Sequence, residues 1–206
     1  MNSVEDMIKD IKNIYGLSSP RVFKALKIVP RERFISKKYR HLAYEDTAIR
    51  IGKGQTISQP FTVCFMTHLL NLKGGEKVLE IGTGTGYQSS VLSFLAKEVY
   101  TIERIKSLAK KAKENFKKLD LKNIKLKIGQ GEDGWKKYSP FDAILIAANT
   151  PKIPQKLFDQ LKEGGVIVAP VGEGNEGKMT KFVKKDKKIT KNEYGRYIFV
   201  PLITKI

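Results

Sequence analysis

A single cysteine, Cys64, excludes any disulfide within this chain of 206 residues. Histidine is almost as scarce, with two, so a metal site built on thiolate and imidazole has too few ligands to draw on. No apolar run approaches the roughly 18 residues that a membrane span requires. The N-terminal stretch MNSVEDMIKDIKNIYG spreads acids and lysines among its apolar positions, which is not the form of a secretory signal. These absences lead us to expect a cytoplasmic protein with no metal and no membrane partner. Negative charge is also in short supply: 21 Asp and Glu stand against 39 Lys and Arg, a net charge of +18.

Such a charge invites a nucleic-acid partner, but its distribution favours a lysine-coated surface. Lys110, Lys111, Lys113, Lys117 and Lys118 alternate with apolar positions, as on the wet face of a helix. Lys184, Lys185, Lys187 and Lys188 bracket a turn at Asp186. Neither tract interleaves aromatic residues in the manner of a single-strand binding platform. With 41% hydrophobic and 29% charged residues, the composition is that of a globular protein with a substantial core. Nothing resembling a linker interrupts it, so one domain over 1–206 is expected.

Three helices open the chain. Ser3 precedes Val4, Met7, Ile8, Ile11, Ile14 and Tyr15, which recur at helical spacing on one face. SSPRVFKALKIVP reads as a helix with Ser19 as N-cap and Pro20 at its first position. PFTVCFMTHLLNLKGG is a third, stopped by Gly74 and Gly75. After residue 75 the pattern alternates: KVLEIG, VYTIE, IKLKIG, FDAILIAA and VIVAPVG read as buried strands, with YQSSVLSFLAKE, the segment from Ile105 to about Leu119, and IPQKLFDQLKEGG as helices. This is an α/β pattern with a mostly parallel sheet covered on both faces. The end, KMTKFVKKDKKITKNEYGRYIFVPLI, has strand-like runs without a helix between them, so antiparallel strands at one edge are expected. The expected parts are thus N-terminal helices over 1–74, a nucleotide-binding core over 75–172 and C-terminal strands over 173–206.

VLEIGTGTGYQ passes from a strand into a helix, the setting of a nucleotide-binding turn. The dinucleotide pattern would want Gly or Ala at position 87, where Tyr87 stands, and a Walker-type loop would need a lysine before Ser or Thr. What remains is Glu80 ahead of Gly82, Gly84 and Gly86, with Glu103 at the end of the next strand, where doubly wound folds set a carboxylate on ribose hydroxyls. Such a site suits a ligand with a ribose, no phosphates and positive charge near the turn, a description that S-adenosylmethionine meets.

The chain also resembles the protein-L-isoaspartate O-methyltransferases over nearly its full length. The resemblance rests on RVFKALKIVPRERF, GQTISQP, KVLEIGTGTGYQ, PFDAILIAANTPKIPQKLFDQLKEGG and FVPL, in that order. It implies a Rossmann-like fold and methyl transfer from S-adenosylmethionine to the free carboxylate of L-isoaspartyl residues in damaged proteins and peptides, with D-aspartyl acceptors left open. It implies cofactor contacts from Glu80, Gly82, Thr83, Gly84 and Gly86, from Glu103 and Arg104, and from Gln130 and Gly131. It places Ser58 at the reacting centre, Thr56 beside it on the carboxylate, and Val200 as a backbone contact to the substrate. Where the family usually has G-D-G after the third strand, this chain reads IGQGEDGW, so Gln130 replaces an acid facing the adenine amino group. A glutamine oxygen can still accept there, and Asp133 is the alternative.

The implied chemistry explains the polar stretch IGKGQTISQPF. A carboxylate with a pKa near ~4 is already ionised at neutral pH, so no general base is needed. Neutral donors such as Thr56 and Ser58 can hold it without quenching it. A simpler reading makes Ser58 the N-cap of the helix at Pro60. Three other readings carry less. Cys64 and His68 lie four apart on one helix but have no acid near them, and Cys64 reads as core packing. Ser58 lacks the elbow motif of a hydrolase nucleophile. A nucleic-acid methyltransferase would want an aromatic residue after the fourth strand to grip a flipped base, and AANTPKIP has none. A monomer with no obligate nucleic acid is expected. A nucleic-acid methyltransferase using the basic surface, which the charge of +18 keeps open, is the alternative, and a binding module without turnover is a third reading.

Overall fold

The computed structural model describes residues 3–203. Helix α1 (Val4–Tyr15) is closed at its start by a capping box between Ser3 and Asp6 and at its end by Gly16 in the left-handed conformation. Helix α2 (Pro20–Ile28) begins at its proline, but the Ser19 hydroxyl does not cap it. It lies against His68 Nδ1 at 3.1 Å instead. IGKGQTI, a polar loop by its composition, is a hairpin of β1 (Ile49–Gly52) and β2 (Gln55–Ile57). Lys53 and Gly54 form its tight turn, both with positive φ. Ile49, Ile51 and Ile57 sink into the core and leave Thr56 on the outside. Helix α3 (Pro60–Leu70) ends at Asn71 in the left-handed conformation, earlier than its glycines suggest. Asn tolerates that backbone region, and the helix has no need to reach Gly74.

The core follows as β3 (Lys77–Ile81), α4 (Tyr87–Ser93), β4 (Glu98–Glu103), α5 (Lys106–Lys118), β5 (Ile124–Ile128), β6 (Phe141–Ile146), α6 (Gln155–Asp159), β7 (Leu161–Val171), β8 (Glu176–Lys185) and β9 (Lys188–Ile198). The sheet order is β5-β4-β3-β6-β7-β8-β9, parallel from β5 to β7 and antiparallel from β7 to β9. The α/β fold class and the antiparallel C-terminal edge are therefore as the sequence indicates. Successive residues alternate between two cores: Val78, Val99, Ala143 and Leu145 pack on one face with the N-terminal helices, and Leu79, Ile81, Ile102 and Ile144 on the other.

Two expectations are corrected. IKLKIG is an edge strand, not a buried one, with Lys125 and Ile128 exposed; lysines on a sheet edge discourage further pairing. The helix expected over IPQKLFDQLKEGG stops at Asp159, and Leu161 already belongs to β7, paired with Phe141 across a bulge. Sheet pairing there outcompetes a helical pattern that carries two glycines at its end. The lysines of α5 are exposed while Leu108, Ala109, Ala112 and Phe116 are buried, as its periodicity indicates. No helix among the described residues is long and apolar enough to cross a membrane.

Candidate active site

The chain runs outward from β3 through β4 to β5, then returns to place β6 on the other side of β3. Such a reversal leaves a crevice at the carboxyl ends of the strands. A narrow cleft lies there, lined by Gly82, Thr83 and Gly84 after β3, Glu103 and Arg104 at the end of β4, Gly129 and Gly131 after β5, and Ala147 and Ala148 after β6. Parallel strands thus bring four separate loops to one place.

The turn after β3 depends on glycine. Gly82, Gly84 and Gly86 all have positive φ. A side chain on Gly86 would also run into the Phe116 ring, so this glycine serves the packing of α4 on α5 and does not line the cleft. Glu103 fastens the turn: its Oε2 accepts from Gly84 N at 2.8 Å and its Oε1 from Ile105 N at 2.8 Å. Each oxygen keeps a further lone pair for a ligand hydroxyl. Burial pushes the Glu103 carboxyl up, and the backbone N–H donors oppose that shift.

Glu80 is placed differently from its expected role. It stands two residues from Val78 on the face of β3 turned towards α4, is fully buried, and does not line the cleft. Its Oε2 accepts from Thr101 Oγ1 at 2.6 Å and from Ser89 Oγ. Thr101 is its register partner on β4, which explains the contact. Burial raises the Glu80 carboxyl to about 7, although both hydroxyls work against it. Its Oε1 has no partner. Thr83, which does line the cleft, joins the same network through Thr101 Oγ1 at 2.6 Å.

Gln130 also stands outside the lining, yet its Oε1 is buried without a partner. An acceptor removed from water and left unpaired is costly, and a ligand amino group would satisfy it. Gly131 beside it has no room for a side chain, which would overlap Ile81. Asp133 is not a substitute, because its carboxylate accepts from Lys156 Nζ at 2.8 Å. An orphaned acceptor, a glycine-lined wall and a tethered carboxylate together fit an adenosine-bearing cofactor.

On the other wall stand Thr56 and Ser58, from the end of β2 and the turn into α3. The capping residue of α3 is Gln59, so the reading of Ser58 as that helix's N-cap is corrected. Among the described residues none binds the Ser58 hydroxyl, while its carbonyl accepts from Arg31 Nη2 at 2.7 Å. Outside the cleft lies a groove of about 670 Å³ bounded by Tyr15, Phe61, Tyr197 and Ile198. Thr56, Ser58 and Val200 line both cavities.

Three residues that shape this wall carry no functional reading in the sequence. Arg31 is fully buried without a carboxylate partner; it donates to Ala43 O at 2.9 Å as well as to Ser58, and its guanidinium lies 4.9 Å from the Tyr87 ring centre. Burial lowers its pKa. KIVPRERF carries Arg31 and Arg33 alike beside Glu32, so nothing local marks Arg31 as the buried one. Asn149 anchors the C-terminal segment: its N–H donates to Val200 O at 2.8 Å, its carbonyl accepts from Leu202 N at 2.6 Å, and its Nδ2 reaches Gly172 O and Gly174 O at 2.9 Å each. A polar residue three positions after a buried strand at the switch point is its signal. Asp46 has no local signal at all. Cys64 and His68 do not converge: burial pushes the Cys64 thiol up to about 12, while His68 is exposed.

Comparison with known proteins bears on this geometry. The family model described as protein-L-isoaspartate(D-aspartate) O-methyltransferase matches residues 2–206. A protein-L-isoaspartate O-methyltransferase of Dictyoglomus turgidum is 46% identical over 198 residues, covering 96% of this chain and 90% of that protein. Among solved structures, a protein-L-isoaspartate O-methyltransferase superposes with a TM-score of 0.86 at 30% identity, over 97% of this chain and 65% of that one. A Plasmodium falciparum protein assigned to the same activity, in complex with S-adenosyl-L-homocysteine, superposes with a TM-score of 0.87 at 25% identity, over 98% of this chain and 99% of that one.

Proposed function

The chain belongs to the protein-L-isoaspartate(D-aspartate) O-methyltransferase family, and on that footing we propose that it methylates the free carboxylate of L-isoaspartyl residues in damaged proteins and peptides, the first step of their repair. When bound, S-adenosylmethionine supplies an electrophilic methyl group on a sulfonium. The observation that carries the reading is the wall common to both cavities: Thr56, Ser58 and Val200 stand where a cofactor cleft meets an outer groove of about 670 Å³.

The division of labour follows from the contacts. Glu103 offers its remaining lone pairs to the ribose, Gln130 its unpaired oxygen to the adenine amino group, and Gly82, Thr83, Gly84, Arg104 and Gly131 form the cleft around them. Glu80 and Gly86 support this turn from behind, one through hydrogen bonds and one through packing. Ser58 and Thr56 are hydroxyl donors to the acceptor carboxylate, which is ionised without help at neutral pH. Their task is to hold one oxygen in line with the methyl group while the enclosing walls exclude water. The Val200 carbonyl accepts from Asn149 N–H, a bond that fixes the segment bringing the Val200 main chain to the substrate. We take the enzyme to be one methyltransferase domain working as a cytoplasmic monomer without obligate nucleic acid, since one chain supplies every residue of the proposed site.

The test offers methyl-labelled S-adenosylmethionine with one peptide in L-isoaspartyl and L-aspartyl forms, and with a short structured RNA. Label entering only the isoaspartyl peptide, and released by mild base, is the expected result, because a carboxyl ester hydrolyses where an N-methyl group does not. Label in the RNA alone would overturn the reading and return the excess of lysine to the centre of the question.

A further inference from the structure

The segment carrying Ser58 is held from behind on both sides by residues far away in the chain. On one side, buried Arg31 donates to the Ser58 carbonyl at 2.7 Å. On the other stands Asp46. Its Oδ1 accepts from Phe61 N at 2.9 Å, and its Oδ2 accepts from Gln59 Nε2 and from Tyr15 Oη, each at 2.6 Å. Helix α3 needs such a partner. Pro60 has no N–H, Gln59 offers no capping side chain, and Phe61 therefore presents the first N–H of the helix. A carboxylate at a helix N-terminus is also favoured by the helix dipole. Tyr15 in turn is fixed over Phe61, ring centroids 3.7 Å apart and nearly parallel.

We propose that Asp46 is a positioning residue for methyl transfer, setting the turn Ser58–Gln59–Pro60 by holding the amides on its far side while Arg31 holds the carbonyl on its near side. The inference rests on the role given above to Ser58. The two clamps divide the turn between them: Arg31 fixes the peptide plane that leaves Ser58, and Asp46 fixes the side chain and main chain that follow. With both in place the Ser58 backbone, and so the Cα–Cβ bond that carries its hydroxyl, has one direction relative to the cleft. A cation is thus present close to the acceptor site, but spent on a backbone carbonyl rather than offered to the substrate carboxylate. Tyr15 ties the arrangement to α1, so the first helix contributes to the site without touching a reacting atom.

The test compares the wild-type enzyme with Asp46→Ala, Asp46→Asn and Tyr15→Phe, measuring kcat and KM for an isoaspartyl peptide, Kd for S-adenosylhomocysteine and the thermal unfolding midpoint. Misplacement of a positioning group by about 1 Å can cost up to a hundredfold in rate, so Asp46→Ala is expected to lower kcat by about tenfold or more, with KM and the S-adenosylhomocysteine Kd within about twofold. Tyr15→Phe keeps the ring stack, loses the hydroxyl's bonds to Asp46 and to Gln59 Nε2, and is expected to cost about twofold to fivefold alone and less than that in the Asp46→Ala background, since coupled residues are not additive. Should Asp46→Ala fold poorly, Asp46→Asn carries the same comparison. The proposal is overturned if both Asp46 variants keep kcat within about twofold, or if their loss of kcat is matched by an equal loss of S-adenosylhomocysteine binding, which marks a general structural role. A wild-type enzyme that transfers no methyl to the isoaspartyl peptide overturns this inference together with the reading of Ser58. Transfer by the wild type with unaffected variants overturns this inference alone.

Discussion

The two walls of the site are built in different ways. The cofactor wall is assembled from the ends of adjacent parallel strands, and its hydrogen bonds run between neighbours in the sheet: Glu80 to Thr101 across β3 and β4, and Glu103 at the end of β4 to Gly84 in the turn that follows β3. The acceptor wall is assembled from pieces with no such kinship. A hairpin presents Thr56, a turn presents Ser58, Arg31 and Asp46 steady that turn from two earlier segments, and Asn149 draws the C-terminal segment with Val200 against it. The first wall inherits its precision from sheet register, whereas the second must obtain it from individual long-range bonds. One consequence is that single substitutions are expected to separate the two functions.

The sharpest separation is expected at Ser58. Ser58→Ala should lower kcat for an isoaspartyl peptide by about a hundredfold, the scale of losing one preorganised donor at a reacting centre, and leave S-adenosylhomocysteine binding unchanged by calorimetry. Unchanged turnover would remove Ser58 from the reaction and with it the contrast between the walls. The reciprocal variant, Glu103→Gln, should weaken S-adenosylhomocysteine binding by about tenfold or more through the loss of charge-assisted hydrogen bonds, while the KM for peptide measured at saturating cofactor stays within about twofold. If peptide KM rises as much as cofactor Kd, the walls are one cooperative unit.

Asn149 is the joint between them, because the segment it anchors lines both cavities. Asn149→Ala keeps its main-chain bonds to Val200 and Leu202 but removes the side-chain bonds to Gly172 O, Gly174 O and Glu176 O, in the loop whose Asn175 carbonyl accepts from Phe199 N. Loosening that support should raise cofactor Kd and peptide KM together, each by about fivefold, and lower stability by about 2 kcal/mol through the lost side-chain bonds. An effect on one ligand only would assign the segment to that wall.

The smallest expected effect on the two walls concerns Glu80, which lines neither cavity. Its carboxyl has an ordinary value of 4.5 and is raised to about 7 in the fold, so the folded protein binds the proton more tightly than the unfolded chain does. The stability this contributes is fully present below about 4.5 and is lost as pH rises through about 7. Urea unfolding midpoints of the ligand-free protein should show that decline, and Glu80→Gln, which keeps polar contacts to Ser89 and Thr101, should flatten it. A variant with the same pH dependence as the wild type would mean that Glu80 is not the group responsible.

Much of this molecule could be read from local pattern. The strand–turn–helix around Gly82 and Gly84, the amphipathic α5, and the hairpin turn at Asp186 are each specified by neighbours in sequence, since a helix period or a left-handed turn position leaves its own mark. The same locality misled at two places. IKLKIG has the composition of a buried strand but no neighbour beyond it, and IPQKLFDQLKEGG has a helical period that the pairing of Leu161 with Phe141 overrides. Neither the position of a strand within a sheet nor the partner of its first residue is recorded in its own letters.

By itself, then, the sequence determined the α/β pattern, the glycine turn, the acids that flank it and the polar stretch with Thr56 and Ser58. All of these depend on spacings within a few turns or strands. Tertiary structure alone decided that Glu80 faces α4 rather than the cleft, that a glutamine oxygen is left unpaired beside Gly131, and that Arg31, Asp46 and Asn149 come to bear on the acceptor wall. The physical reason is the same in each case: a buried polar group must find its partner wherever the fold brings one within about 3 Å. For side chains tens of residues apart that meeting is settled by sheet order and helix packing, which no local spacing encodes.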